Sequence, residues 1–525
     1  MIDAKIQDLI CTMSGAYAAH KEDRTLIEDL LGGTKAVRAK TTLYLPKEEG
    51  ETTSSYNNRL SRTYLNNFFK HTVNKLSSEV FQKEIAFEES KNDQGKLAIQ
   101  NIKEFSEDIN FEGDDITTFG KENFESGISL GSSLIHVNYP QVPGLEIVGG
   151  SHYYKASDGN IKPVTNDERK KNGWRPYFVH YPITSVIRSS ERRINGINTL
   201  DGLVLRDKVY YESAIYDNMV ERLQYFYLED GQFKYKVWFQ KIDEVEWEEV
   251  GGGSTGLPII PICTFSPGKK INMILAELPL QTLAELNIVH YQSDSDQRNI
   301  LHYARLITFF GRGIDSALNE NKIIVGANRV VHSDAEYGDF KVVEPSGKAI
   351  ESGRKDLENL ETKMGMFGLS LLLPKSDRAT ATEKLIDTSE SDSILKSWAL
   401  MYQSTLRRAY SMIAMYYPES MRKDYLAVPI VNTDLKSIFS AESLNYIVQG
   451  VQNDFISPYV AAKEYKRRSI IAKDTDIDEM IEIIEENKEK EASYKNASKE
   501  SSDSKKEKED MPDIEDKDKK ESSDE

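Results

Sequence analysis

The chain has 525 residues, 39% of them hydrophobic and 29% charged, with a formal net charge of −18. That length gives room for about two to four domains with sizeable cores, and no apolar run reaches the ~18 residues needed to cross a bilayer. The acid excess argues against tight, static wrapping of nucleic acid, which needs a surplus of Lys and Arg, while leaving room for DNA that passes close by without being gripped.

The opening MIDAKIQDLICTMSG lacks a basic n-region and a long apolar core, so a secretory signal is not expected. Cys11 and Cys263 are the two cysteines, far apart, which fits a reducing compartment without a disulfide framework or a zinc knuckle. Residues 1–138 read mostly helical. Asp23 to Leu31 is amphipathic and is expected to end at Gly32-Gly33. After the Pro- and Gly-punctuated TTLYLPKEEGE, a helix is predicted from Ser54, with Tyr56, Leu60, Tyr64, Phe68 and Val73 along it. Further helices fill Phe105 to Ile135, where Gly120, Gly127 and Gly131 allow close packing or breaks.

Residues 134–265 are rich in Val, Ile, Tyr and Phe and read as antiparallel strands, with EDGQ as a hairpin turn. The many tyrosines there are expected to pack rather than to react. A helix is predicted over 277–304, followed by short strands in RLITFFGRG, NKIIVGANRVVH and FKVVEP, then a second helix from Gly347 to Met366. GLSLLLPKSDRATAT is a loop, Glu383 to Tyr417 a long helix ended by Pro418, and more helices fill 434–486. From Asn487 onward the chain is nearly all charge and Ser and is expected to be disordered. This tail holds 10 Lys against 14 Asp and Glu, so the body keeps −14 of the −18.

Motifs for chemistry are scarce. GGGSTG at 251–256 lacks the Lys-Ser/Thr ending of a phosphate loop and is followed by Pro258 and an apolar β-type run, so a hairpin or surface loop is expected. HExxH and CxxC are absent. His290 and His302 are twelve residues apart on one predicted helix, about 120° around it, too far to share a metal. Asp294 and Asp296 face different ways and make a poor metal pair. No catalytic, cofactor-binding or metal-binding residue is assigned. The puzzle of this region is the run Ser293 to Asn299, seven polar residues spanning about two turns, where a helix on its own core would keep an apolar stripe.

Three stretches together resemble the portal proteins of tailed bacteriophages, most closely a branch long filed as a phage domain of unknown function. They are LYLPKEEGETTSSYNNRLSRTYLNNFFKHTVNKLSSEVFQKE at 43–84, with its Leu-Pro-x-x-x-Gly-Glu loop and Tyr-x-x-Arg-Leu helix; HYQSDSDQRNILHYAR at 290–305; and TATEKLIDTSESDSILKSWA at 380–399. With the matching element order the resemblance spans about 40–417. It implies an α+β portal-like subunit assembling as a ring, usually of twelve copies, at one capsid vertex. The expected parts are a wing over 1–276 (helical first, β-rich over 134–265), stem helix 1 over 277–304, a small α/β clip over 305–346 and stem helix 2 over 347–366. A tunnel loop over 367–382, a long helix over 383–417, a helical crown over 418–486 and the acidic tail over 487–525 complete the division.

The resemblance further implies a DNA channel for genome packaging, head–tail joining and DNA ejection, with no enzymatic activity and no cofactor. Implied partners are the terminase large subunit, the major capsid and scaffold proteins, adaptor and tail proteins, and transiently bound double-stranded DNA, in the virion and, during assembly, the host bacterial cytoplasm; no membrane is involved. On this reading the polar turns lie between neighbouring subunits and a channel. Ser293, Gln297 and Asn299 then bond to the next subunit and Asp294 or Asp296 faces the lumen, while Lys375 and Arg378 in the tunnel loop touch phosphates. Acidic walls suit such a channel because they repel the phosphate backbone over the ~8–10 Å screening length. The rival readings are another virion structural or adaptor component and a metal-dependent nuclease acting in packaging.

Overall fold

The computed structural model describes residues 12–88, 92–140, 145–148, 151–155, 161–194, 196–210, 219–241, 246–305, 308–312, 336–343, 347–369, 381–433, 441–453, 455–467, 471, 477–478 and 480–483, with the backbone alone at some positions, 381–393 among them. It is a mixed helix and sheet structure of the α+β kind, dividing into one unit over Met1–Leu435 and a second over Lys436–Glu525.

The first unit opens with helices α1 (Gly15–Ala19), α2 (Lys21–Ala39), α3 (Thr41–Tyr44), α4 (Thr53–Arg62) and α5 (Phe68–Val80). Two expectations are corrected here. The amphipathic segment does not stop at Gly32-Gly33: it kinks at Gly33 (φ 74°, ψ −159°) and continues to Ala39. The helix predicted from Ser54 through Val73 is two helices, because Thr63 leaves helical geometry and Asn67 starts a new helix by accepting the Lys70 N–H on its side chain. Strand β1 (Ala86–Phe87), α6 (Asp93–Ser106) and α7 (Ile116–Leu130) follow.

Among the described residues the β-rich region contains three antiparallel sheets. Strands β2 (Ser133–Asn138), β6 (Tyr177–Pro182) and β12 (Ile262–Phe265) form one, with β2 in the middle. β3 (Leu145–Val148), β4 (Ser151–Lys155) and β5 (Ile161–Pro163) form a second, and α8 (Asn166–Asn172) comes after them. The third is a five-stranded meander of β7 (Val186–Ile194), β8 (Ile197–Tyr210), β9 (Met219–Glu229), β10 (Gln232–Lys241) and β11 (Glu248–Ser254). The β9–β10 hairpin turns on Asp230-Gly231, both at positive φ (53° and 72°), as a two-residue hairpin turn requires and as EDGQ predicts. Leu203, Leu205, Phe226 and Phe233 turn one face of the meander to the main core, while Ile187, Val204, Leu223 and Trp238 form a smaller cluster on the other.

Helix α9 (Gln281–Ala304), strands β13 (Thr308–Arg312) and β14 (Asp339–Val343), and helix α10 (Gly347–Met364), which widens into a π-helical turn over Gly365–Leu369, come next. β13 pairs antiparallel with β14, so RLITFFG finds its partner in FKVV; NKIIVGANRVVH lies outside the described residues. α11 (Ala381–Met415) runs through the middle of the core. Its buried Leu395, Ala399, Tyr402, Leu406, Ala409 and Ile413 recur every three or four residues, a helical stripe. Tyr402 sits among Phe81, Phe124 and Phe265, and the Tyr416 hydroxyl donates to the Val137 carbonyl at 2.9 Å. The tyrosines are thus packing residues, several of them fully buried.

Residues 418–433, expected in a helical crown, instead form a 3₁₀ turn (Glu419–Tyr425) and strand β15 (Pro429–Ile430), which pairs with β1 and belongs to the first unit. Pro418 breaks the helix, and Tyr425 stacks on Tyr417 with ring centroids 3.6 Å apart, which folds the segment back. The second unit contains α12 (Ala441–Gln452) and α13 (Pro458–Arg467). The acidic tail over 487–525 lies outside the described residues.

Candidate functional site

The polar run on α9 is answered inside the chain. On one side it meets α10. Gln297 Nε2 donates to the Ile350 carbonyl at 2.8 Å, Ser293 Oγ to Asp356 Oδ2 at 3.2 Å, and His290 Nε2 lies 3.5 Å from Glu361 Oε1. The numbers rise along α9 as they fall along α10, so the pair is antiparallel. The helices approach closely because Gly353 faces Gln297: a Cβ there would overlap the amide oxygen. The two ends of this pair that are nearest in sequence lead into the β13–β14 ribbon.

On another side α9 meets α4 and the chain around it. Ser295 Oγ and Thr63 Oγ1 are 2.9 Å apart, Arg62 donates to Asn299 Oδ1 at 3.4 Å, and the Ser55 and Tyr303 hydroxyls are 3.3 Å apart. Asn287 accepts the Phe69 N–H and donates to the Asn66 carbonyl, both at 2.9 Å. Asp294 is buried and pairs with Arg298 at 2.6 Å, and the Arg298 guanidinium lies 4.2 Å from the Tyr64 ring centroid. Asp296 is 64% exposed and lies 3.7 Å from Arg59.

Ser293, Gln297 and Asn299 each have a partner in their own chain. Asp294 is enclosed, and Asp296 is the one of the two that reaches solvent. The partners of α9 here are themselves polar: the Ser55 and Thr63 hydroxyls, the Arg62 guanidinium, the Ile350 carbonyl and the Asp356 carboxylate. Every such buried polar atom needs a partner, and the run supplies them.

The same contacts give the Leu-Pro-x-x-x-Gly-Glu and Tyr-x-x-Arg-Leu motifs a physical reading. Arg59 is buried and holds Glu51 through two bonds, Nε to Oε1 at 3.1 Å and a terminal nitrogen to Oε2 at 2.8 Å; it also donates to the Pro46 carbonyl at 3.1 Å. Tyr56 donates to the Leu45 carbonyl at 2.8 Å. The motif residues therefore clasp the loop 45–52 onto α4, and Arg59 carries the clasp to α9. The hydrogen bonds from Arg59 hold the Glu51 carboxyl below its ordinary range, and Glu51 raises the guanidinium in turn. Glu51, Arg59 and Arg62 were not singled out from sequence; for Glu51 and Arg59 the signal was the fixed spacing of the motif, read there only as a resemblance.

At the β13 end of the pair, α9 and α10 enclose an open groove of about 600 Å³. Four guanidinium groups line it, from Arg62, Arg298, Arg305 and Arg354, against one carboxylate, Asp294. In a chain of net charge −18 this is a local reversal of sign.

The remaining sequence candidates are placed as follows. His290 is buried edge-on against Phe68, and His302 lies on the groove, so the two do not meet. GGGSTG begins as part of edge strand β11, paired to β10, and no helix follows it. Cys263 is buried 3.5 Å from Met412 Sδ, and burial pushes its thiol up to about 12. Among the described residues no group of three or more His, Cys, Asp or Glu is arranged to hold a metal ion, and no helix is long and apolar enough to cross a membrane. Lys375, Arg378 and Cys11 lie outside the described residues.

Residues 279–417, from the start of the helix pair to the end of the core helix, match a family described as a domain of unknown function (DUF4055). A search of curated proteins found no match. Among solved structures, the chain is similar to a component of the neck of an empty GTA particle computed with C6 symmetry and to one in the virion of a native gene transfer agent (GTA) particle. Each is 10% identical, covers 75% of this chain and 87% of the other, and has a TM-score of 0.33.

Proposed function

We propose that this chain is the repeating subunit of a portal-type ring: a virion component that surrounds a DNA channel at one capsid vertex, through which the genome is packaged by the terminase motor and later ejected. The observation that carries the reading is the helix–strand–strand–helix unit over 281–364, an antiparallel pair of helices opening at one end into a β-ribbon. α9 and α10 are the stem in this reading, β13–β14 the base of the clip that meets the motor and later the adaptor and tail proteins. The 367–382 segment is the tunnel loop and the 436–486 region the crown. The motifs at 43–84 support it, because their residues brace the stem rather than a catalytic pocket.

In this role the protein positions and does not catalyse. Lys375 and Arg378 touch passing phosphates at the constriction, and Asp296 adds negative charge to the stem surface. The test is electron microscopy of the purified full chain, paired with an assay for metal-dependent DNA cleavage. Rings with a central hole and no cleavage are expected. A compact particle without a channel that cuts DNA would overturn the proposal in favour of a nuclease.

A further inference from the structure

The guanidinium-lined groove has a counterpart on the far side of the same helix. At ~100° per residue, Asp294, Arg298, Leu301 and Arg305 lie along one side of α9, and Asp296 lies roughly opposite. On that opposite side Arg59 links Asp296 to Glu51, and Glu48 is within electrostatic reach of Asp296. Glu48 and Glu49 are exposed at the tip of the clasped loop, and Leu43 of the preceding helix α3 is 64% exposed. One side of α9 thus faces an open groove rimmed by arginines, with Leu301 and Leu357 among its lining residues; Asp296 on the other side meets an acidic knob with an exposed leucine beside it.

We infer that the two surfaces are the halves of one interface between copies of this chain, with the acidic knob of one copy seated in the arginine groove of the next. A groove and a knob that are two different patches of one subunit make a head-to-tail contact, the type that closes into a ring when the rotation allows. The apolar lining favours a protein occupant over a nucleic acid backbone, since phosphates and sugars give leucines nothing to bury against, whereas Leu43 does. Charge complementarity selects the partner: potentials of opposite sign meet, and wrong registers place like charges together. The inference rests on the ring reading and adds to it the residues that join the subunits.

The test uses charge reversal in the full chain. Arg305 is exposed and the Arg354 side chain is 65% exposed, and Glu48 and Glu49 are exposed, so none of the four is needed in the core. Arg305→Glu with Arg354→Glu, and separately Glu48→Lys with Glu49→Lys, should each lower the assembled fraction about tenfold or more at matched concentration, because like charges then face each other. All four changes in one chain should restore assembly, because every interface again pairs opposite charges. Reversals that assemble like the wild type, or a four-fold variant that stays unassembled, overturn the inference. Reversals in the arginines that assemble normally but lose retention of duplex DNA also overturn it, in favour of a phosphate site. In these cases the wild-type ring stands, whereas a wild type that never assembles under any condition removes the ring reading itself.

Discussion

Arg59 has only 3% of its side chain exposed, and a charge so enclosed must be compensated where it stands. Glu51 does this with two parallel bonds, a geometry that lysine cannot reproduce. Glu51→Gln should therefore destabilise the fold by about 3 kcal/mol, the usual scale for removing one partner of a buried ion pair, read as a shifted denaturation midpoint. The Glu51 carboxyl is held below its ordinary value, so its contribution is fully present above about pH 4.3; it is lost as pH falls through the lower folded value. The variant should lack that part of the acid limb.

Two histidines act in a different window. Burial lowers His136 to about 3 and His180 to about 4, so both are neutral in the native state. The unfolded chain takes up the protons that the native state refuses, so stability falls as pH drops below about 6.5. His136 packs against Phe226, with ring centroids 4.8 Å apart, which makes His136→Phe a mild replacement. Between pH 6.5 and 5 the wild type should lose about 1.5 kcal/mol more than this variant in chemical denaturation. Equal slopes would show that His136 is protonated in the folded state.

The α9–α10 pair is the element on which the account turns, and Gly353 sets its spacing. A methyl group there collides with the Gln297 amide, which must then give up the Ile350 carbonyl. Glycine in a helix interior is otherwise about 1 kcal/mol worse than alanine. Gly353→Ala should therefore destabilise the wild type, yet stabilise a Gln297→Ala background by up to about 1 kcal/mol; a change of the same sign and size in both would mean that the two residues do not meet. Much of this element level was legible in the sequence. The Gln281–Ala304 and Gly347–Met364 helices fell inside their predicted ranges, and the Asp230-Gly231 turn followed from backbone preferences. The stripe at Leu395 to Ile413 was within a predicted helix but not recognised as the centre of the core, because periodicity reveals a buried face and not what covers it. The Thr63–Asn67 break was missed because regular apolar spacing continues across it, and the cap at Asn67 decides the boundary. The intrachain partners of the polar run were not legible for a related reason: they lie 232 and 237 residues away at Thr63 and Arg62, or 53 and 63 residues on at Ile350 and Asp356.

At the scale of the whole molecule, charge organises the proposed role. In that proposed role a body of −14 would keep duplex DNA from binding along its length, leaving local basic groups for defined contacts. Lys375→Ala with Arg378→Ala should leave assembly intact and alter DNA packaging or retention; normal packaging and retention in the double variant would remove these residues from the account. Deleting 306–345 takes away the β13–β14 ribbon and should abolish recruitment of the packaging motor and weaken the assembly, whereas an intact, motor-competent assembly would contradict the clip assignment. The most direct measurement is native mass spectrometry of the purified full chain, with capsid scaffold added if the chain alone stays monomeric. The account predicts a closed oligomer of about twelve subunits, as the portal reading implies. A compact dimer, or a monomer that persists with scaffold present, would contradict it.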